Sequence, residues 1–164
     1  MAAIDSSAME LVTQDEQQYL TFIMADEEYG VDILAVQEIR GWEQSTVIPN
    51  APEYIKGVIN LRGTIVPIMD LRRRFGLPNV SYNPTTVVII LKVEGHNGER
   101  VMGIVVDAVS DVYTIAENTT RKAPELSEDN NSAFIKGLVN VNDKMVILLD
   151  VAALLSLPGR TQAL

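Results

Sequence analysis

Among the polar side chains of this 164-residue chain, Arg62 has the type and setting that best suit recognition chemistry. It stands in Asn60-Leu61-Arg62-Gly63, where the glycine marks a tight turn. A planar guanidinium fork presented from such a turn can meet a carboxylate; the plainer alternative is an ordinary exposed turn arginine. Catalysis has no comparable candidate. The one histidine, His96, lies in Gly95-His96-Asn97-Gly98, the expected tip of a hairpin. No Gly-x-Ser-x-Gly elbow, Ser-x-x-Lys pair, phosphate-binding glycine loop or dinucleotide fingerprint occurs. Cysteine is absent, which removes disulfides, thiolate metal sites and cysteine nucleophiles together. Carboxylates gather at Asp26-Glu27-Glu28 and at Glu125, Glu128 and Asp129, in segments that read as loops, where solvated charge is a simpler account than a weak cation site. The expectation is a protein with no catalytic set, no cofactor and no metal.

A second candidate surface is Val36-Gln37-Glu38-Ile39-Arg40. Polar and apolar residues alternate there, as in a strand with one face available to a partner. Arg72-Arg73-Arg74 reads as a solvated helix face. The elements that must position these residues are mostly strands. With 19 Val, 15 Ile and 10 Thr, 44 of the 164 residues are β-branched, a composition that favours pleated sheet. Tyr19 to Met24 and Tyr29 to Ile33 form a first strand pair around a turn at 25–28. Leu34 to Arg40 fits either a strand or a helical turn. Residues 54–70 form two β segments joined at Arg62-Gly63, the second demoted to an edge or a bulge by Pro67. Asp70 suits an N-cap, with a short helix at 71–75, Gly76 as its left-handed stop and Pro78 beyond. A hairpin over 85–107 follows, then a long polar loop at 117–133. Strands at 134–149, a second cap at Asp150 and a helix near 151–156 close the fold.

Self-similarity organises this series. Residues 54–77 align without a gap on residues 134–157, with Ile55/Ile135, Lys56/Lys136, Gly57/Gly137, Asn60/Asn140, Val66/Val146, Asp70/Asp150 and Leu77/Leu157 identical. A weaker match sets 30–39 on 103–112. The chain therefore reads as two β-rich copies, about 18–80 and 85–157, between an acidic tail at 1–17 and another tail at 158–164. Each copy is too small for a large core, so packing on its twin should complete the burial. Several short strands per copy suggest two small barrels. Positions shared by the copies, such as Gly57/Gly137 and Asp70/Asp150, should serve the fold, and a cap of this kind is worth about 0.5–2 kcal/mol. Positions that differ are free for function: Leu61-Arg62-Gly63 faces Val141-Asn142-Asp143, and Arg72-Arg73-Arg74 faces Ala152-Ala153-Leu154.

Composition bounds the partners. The 13 Lys and Arg stand against 22 Asp and Glu, a net charge of −9. That balance argues against sequence-independent binding to nucleic acid or to anionic membranes. No apolar run reaches the roughly 18–20 residues that cross a bilayer. The start of the chain is acidic, without the apolar stretch of a signal peptide. With no cysteine, a cytoplasmic home is the simplest expectation.

Three segments carry a resemblance: Glu27–Glu43 (EEYGVDILAVQEIRGWE), Tyr54–Leu77 (YIKGVINLRGTIVPIMDLRRRFGL) and Val101–Val112 (VMGIVVDAVSDV). Together they closely resemble the CheW-like domain family of bacterial chemotaxis coupling proteins, over about residues 18–157. The chain has no room for the receiver domain of CheV or the kinase domains of CheA, which carry related modules. The resemblance implies a mainly β fold of two small five-stranded SH3-like barrels packed side by side, with short helices after Asp70 and Asp150. It also implies a non-catalytic adaptor that couples transmembrane chemoreceptors to the histidine kinase CheA in signalling arrays. Its partners would be the kinase's CheW-like regulatory domain, the cytoplasmic tip of the receptors and other copies of the coupling protein. A paralogous coupling protein for another system, such as surface motility, is the alternative. Carried over by position, Val36, Gln37, Glu38, Ile39, Arg40, Gly57 and Arg62 fall in partner-contact regions. Ile33, Val105 and Ala108 are expected to line an apolar groove for receptor helices.

Overall fold

The computed structural model describes residues 16–43, 45–78, 80–95, 98–122 and 134–156. Among the described residues, ten strands and two short helices follow in the order β1 (Glu16–Met24), β2 (Glu27–Asp32), β3 (Val36–Gly41), β4 (Ile55–Leu61), β5 (Thr64–Asp70), α1 (Leu71–Arg74), β6 (Val87–Gly95), β7 (Gly98–Val106), β8 (Ala108–Ala116), β9 (Ile135–Val141), β10 (Lys144–Leu149) and α2 (Val151–Leu155). A 3₁₀ turn at Ile33–Ala35 leads from β2 into β3, so both readings of 34–40 hold in part. The expected hairpin tip at His96 and Asn97, the acidic cluster at 125–129, residues 1–15 and the tail at 158–164 lie outside the described residues, whereas Glu16 and Gln17, expected in the first tail, open β1 and pair with β8.

Two five-stranded sheets result, ordered β8-β1-β2-β10-β9 and β3-β6-β7-β5-β4. The sheets do not follow the sequence copies. One, the central barrel, is built from the continuous stretch 36–106; the other, the terminal barrel, joins 16–32 to 108–149. The expected split near residues 80–85 is therefore replaced by an exchange in which each copy contributes strands to both sheets. β2 and β7 make this possible by pairing parallel with β10 and β5. β5 is consequently internal to its sheet rather than an edge. Pro67 lies just ahead of the three residues, Ile68 to Asp70, that pair with β7, so its missing N–H costs that ladder nothing.

Each sheet closes on itself through a bridge made after its outer strand. Thr46 and Val58 exchange backbone hydrogen bonds of 3.0 and 2.9 Å, and Arg121 and Leu138 exchange two of 2.7 Å. The glycines repeated in both copies permit this approach. A Cβ on Gly57, whose φ is +139°, would collide with the Thr46 carbonyl, and one on Gly137 would come within 2.5 Å of Thr120 Cγ2.

The alternation of side chains along the strands divides the apolar residues between two destinations. Val105, Val88, Ile90 and Ile68 fill the central barrel, and Tyr19, Val146 and Leu148 fill the terminal one. Leu20, Phe22, Met24, Ile89, Leu91, Met102, Ile104 and Val106 point the other way, into a larger cluster between the barrels. Strands buried on both faces read as unbroken apolar runs, which explains Val87-Val88-Ile89-Ile90-Leu91. The helices are capped as expected. Asp70 accepts from Arg72 N at 3.1 Å and Asp150 from Ala153 N at 3.2 Å. After α1, Gly76 N and Leu77 N donate to the carbonyls of Arg73 and Arg72, a glycine-terminated stop with Gly76 at φ +74°.

Candidate functional site

Arg62 and Gly63 form the β4–β5 turn with φ of +53° and +89°. Both central residues of such a tight turn are left-handed, a geometry that suits Asn or Gly and strains arginine. In the other copy the same turn carries Asn142 and Asp143. From this turn the exposed Arg62 side chain reaches across to β3, where Nη2 donates to Glu38 Oε1 at 2.7 Å. Arg40 Nη1 donates to Glu38 Oε2 at 3.3 Å from the opposite side. Arg62 therefore meets a carboxylate of its own chain through one nitrogen of the fork. The hydrogen bond from Arg62 holds the Glu38 carboxyl below its ordinary value; partial burial opposes it, and the charges of Arg62 and Arg40 reinforce it.

β3 pairs only with β6, and its register shifts between Val36 and Glu38, leaving Gln37 as the extra residue of a bulge. Glu38, Arg40 and Trp42 follow at alternate positions, whereas Ile39 faces the other way and stays 45 % exposed. Trp42 packs on Tyr82 with ring centroids 4.7 Å apart, and it lines a cleft of ≈ 240 Å³ with Arg40, Glu43, Thr46 and Asn60. The sequence reading missed Trp42. Its place two residues past Arg40, in a chain with a single tryptophan, was the available signal.

The remaining expected site residues separate. Gly57 is buried beneath Thr46, so it serves barrel closure and presents no side chain to a partner. Val105 is fully buried inside the central barrel and cannot line a surface groove. Ile33 and Ala108 sit at different places where the chain crosses between barrels. Ile33 follows Asp32, which pairs with Tyr19, while Ala108 pairs with Ile23; four residues of β1 separate them, about 13 Å. Ile33, Val105 and Ala108 therefore do not make one groove. What the crossing at Ile33 does expose is Leu34, 86 % accessible, beside the half-buried Ile33 and Val36.

Two other charged groups depart from expectation. Arg72 is 2 % exposed rather than solvated. Its Nε and Nη2 donate to the two oxygens of Asp70, each at 2.9 Å, and Nη1 to Asp107 Oδ1 at 2.8 Å. Tyr82 OH donates to Asp70 at 2.5 Å. Burial alone would raise the Asp70 carboxyl, but the hydrogen bonds from Arg72 and Tyr82 prevail and hold it below its ordinary value. Glu28, expected in a solvated loop, belongs to β2 and is 6 % exposed. No helix among the described residues is long and apolar enough to cross a membrane.

Comparison with known proteins agrees with this geometry. The CheW-like domain family matches residues 18–158. The chain is 50 % identical to the chemotaxis protein CheW of Klebsiella aerogenes over 140 residues, covering 85 % of this chain and 82 % of that one. It is 30 % identical to the chemotaxis protein CheW of Bacillus subtilis, covering 85 % and 86 %. Among solved structures, the scaffolding protein TtCheW from Thermoanaerobacter tengcongensis superposes with a TM-score of 0.77 at 35 % identity, covering 87 % of this chain and 90 % of that one. With two five-stranded sheets of matching fold and a family match over most of its length, the chain belongs to the CheW-like family of chemotaxis proteins.

Proposed function

We propose that this protein is a non-catalytic cytoplasmic adaptor that couples transmembrane chemoreceptors to the histidine kinase CheA. It is recruited to receptor clusters, and no cofactor takes part. The observation that carries this reading is the edge strand β3 of the central barrel, which carries Glu38 and Arg40 with Arg62 on one face and the exposed Ile39 on the other. The fold does not need an arginine in that turn, since the other copy builds it with Asn142. A strained residue kept where a relaxed one would serve supports a contact role. The kinase's CheW-like regulatory domain is assigned to this edge, its apolar contact at Ile39 and its polar contacts at Arg40 and Arg62. The receptor's helical tip is assigned to the apolar crossing at Ile33, Leu34 and Val36, a helix-in-groove contact. Neither surface needs to bind tightly, because an array that engages both gains avidity from effective concentration.

Reconstitution tests the proposal. Purified protein, a chemotaxis histidine kinase from the same source and receptor-bearing membranes are combined, and kinase autophosphorylation is followed. The expected result is a large change in kinase activity that requires this chain and the receptor together, and that is lost in folded Arg62→Ala and Glu38→Lys variants. Autophosphorylation indifferent to the chain, or coupling that survives both substitutions, would reject the assignment.

A further inference from the structure

The chain crosses between barrels twice, and the two crossings are built from opposite materials. By the repeat alignment Leu34 corresponds to Asp107 and Ala152 to Arg72. At the first crossing Leu34 is 86 % exposed and the neighbouring residues are apolar. At the second, between β7 and β8, Asp107 is held from both barrels. Its Oδ1 accepts from Arg72 Nη1 of the central barrel at 2.8 Å, and its Oδ2 accepts from Ala25 N in the β1–β2 turn of the terminal barrel at 2.9 Å. Its backbone N donates to Ile23 O at 3.0 Å, and its carbonyl accepts from Thr85 Oγ1 at 3.1 Å. Arg72 is fixed in turn by Asp70, by the Ser81 carbonyl at 2.7 Å and by the Tyr82 ring, 4.8 Å from its guanidinium carbon. A fork held on three sides leaves Asp107 one position to occupy.

We infer that Arg72 and Asp107 form an ionic lock that sets the angle between the two barrels, so that the crossing at Leu34 is presented in one fixed geometry. Both are positioning residues. The apolar cluster between the barrels is non-directional and by itself permits small sliding of one sheet over the other. Directional hydrogen bonds at the Asp107 crossing restrict that freedom, beside the bond that Arg100 Nη1 of β7 donates to the Leu155 carbonyl of α2 at 2.9 Å. The consequence for the receptor contact rests on the adaptor reading; the lock itself does not.

The test uses the full chain without any partner, so its failure is distinct from a failure of the adaptor assignment. No native cysteine competes for labels, and the exposed, repeat-equivalent positions Thr64 and Lys144 lie one in each barrel. Spin labels on T64C/K144C should give a single narrow distance by pulsed electron resonance. Asp107→Ala and Asp107→Asn, added to that background, should lose the narrow distance while near-native circular dichroism is retained. Glu99→Ala, which removes the Lys92–Glu99 pair inside one barrel, should leave the distance unchanged. A folded Asp107 variant with the parental distance would overturn the lock, as would equal broadening by Glu99→Ala. Failure of both Asp107 variants to fold would overturn it too, because the cluster would then be a condition of folding and not of orientation.

Discussion

Arg62 is where local strain and long-range contact meet, and magnitudes decide what its removal does. A left-handed arginine carries about 1–2 kcal/mol of backbone strain, whereas its solvent-screened ion pair with Glu38 offsets little of it. Arg62→Asn, which installs the residue used at the equivalent turn, should therefore leave stability unchanged or raise it by about 1 kcal/mol. Kinase coupling should fall in the same variant. Thermal melts together with the reconstituted kinase assay check both halves. The two helix caps diverge for a different reason. Asp150 is exposed and makes one cap bond, so Asp150→Ala should cost about 0.5–2 kcal/mol. Asp70 is fully buried against Arg72, and Asp70→Ala leaves that buried cation with Asp107 as its remaining counter-ion, a loss that approaches the roughly 3–5 kcal/mol of a broken buried pair. Urea titration of the pair should show that gap. Equal losses would mean that Asp70 acts as a cap and little else.

At the scale of elements, the repeated glycines show what the internal alignment could and could not reveal. Their identity in both copies was legible, as was their service to the fold. The reason was not, because the atoms they make room for belong to the segments at Thr46 and Thr120–Arg121, which sequence does not pair with them. The two sites also differ in severity. At Gly57 the obstacle is backbone and φ is positive, while at Gly137 it includes the Thr120 methyl and a carbonyl oxygen 3.0 Å away. Gly57→Ala is expected to cost on the order of 3 kcal/mol and Gly137→Ala about 1 kcal/mol. Chemical denaturation should rank them in that order. A second repeat carries the same logic inward. Gly30 faces Leu148 and Gly103 faces Ile68 in the parallel pairs, so each barrel sets a residue without a side chain against a large one, and the interior fills without overlap.

For the whole molecule, the largest apolar cluster lies between the barrels, so neither barrel retains its burial once the other is lost. Unfolding should be a single transition, with Trp42 fluorescence and far-ultraviolet circular dichroism coinciding. The buried ion cluster sets the pH limits of that stability. The Asp70 carboxyl lies below its ordinary value in the folded state, so its contribution is present above the unfolded value near 4 and fades as pH falls through the folded one. The Tyr82 hydroxyl is raised, by burial and then by its bond to Asp70. Its contribution is present below about pH 10 and is lost as pH climbs through the folded value. The melting temperature should stay flat from about pH 5 to pH 9 and drop on both sides. An acid arm as steep in Asp70→Asn as in the parent would contradict this.

The sequence by itself determined the strand-rich class, the duplicated β4–β5–α1 unit and its twin, the caps at Asp70 and Asp150, the turn at Arg62 and the interest of Glu38 and Arg40. These are local properties: β-branched runs, turn and cap chemistry, and alternation are written within a few residues of where they act. Only the tertiary structure decided that the copies exchange strands, that Val105 points into a barrel, that Ile33 and Ala108 lie at separate crossings, and that Arg72 is buried. Each of these depends on pairing between segments far apart in the chain. The parallel pairing of β2 with β10 and of β5 with β7 leaves no local mark in either partner, because a strand buried on both faces has the same apolar pattern whichever sheet it joins.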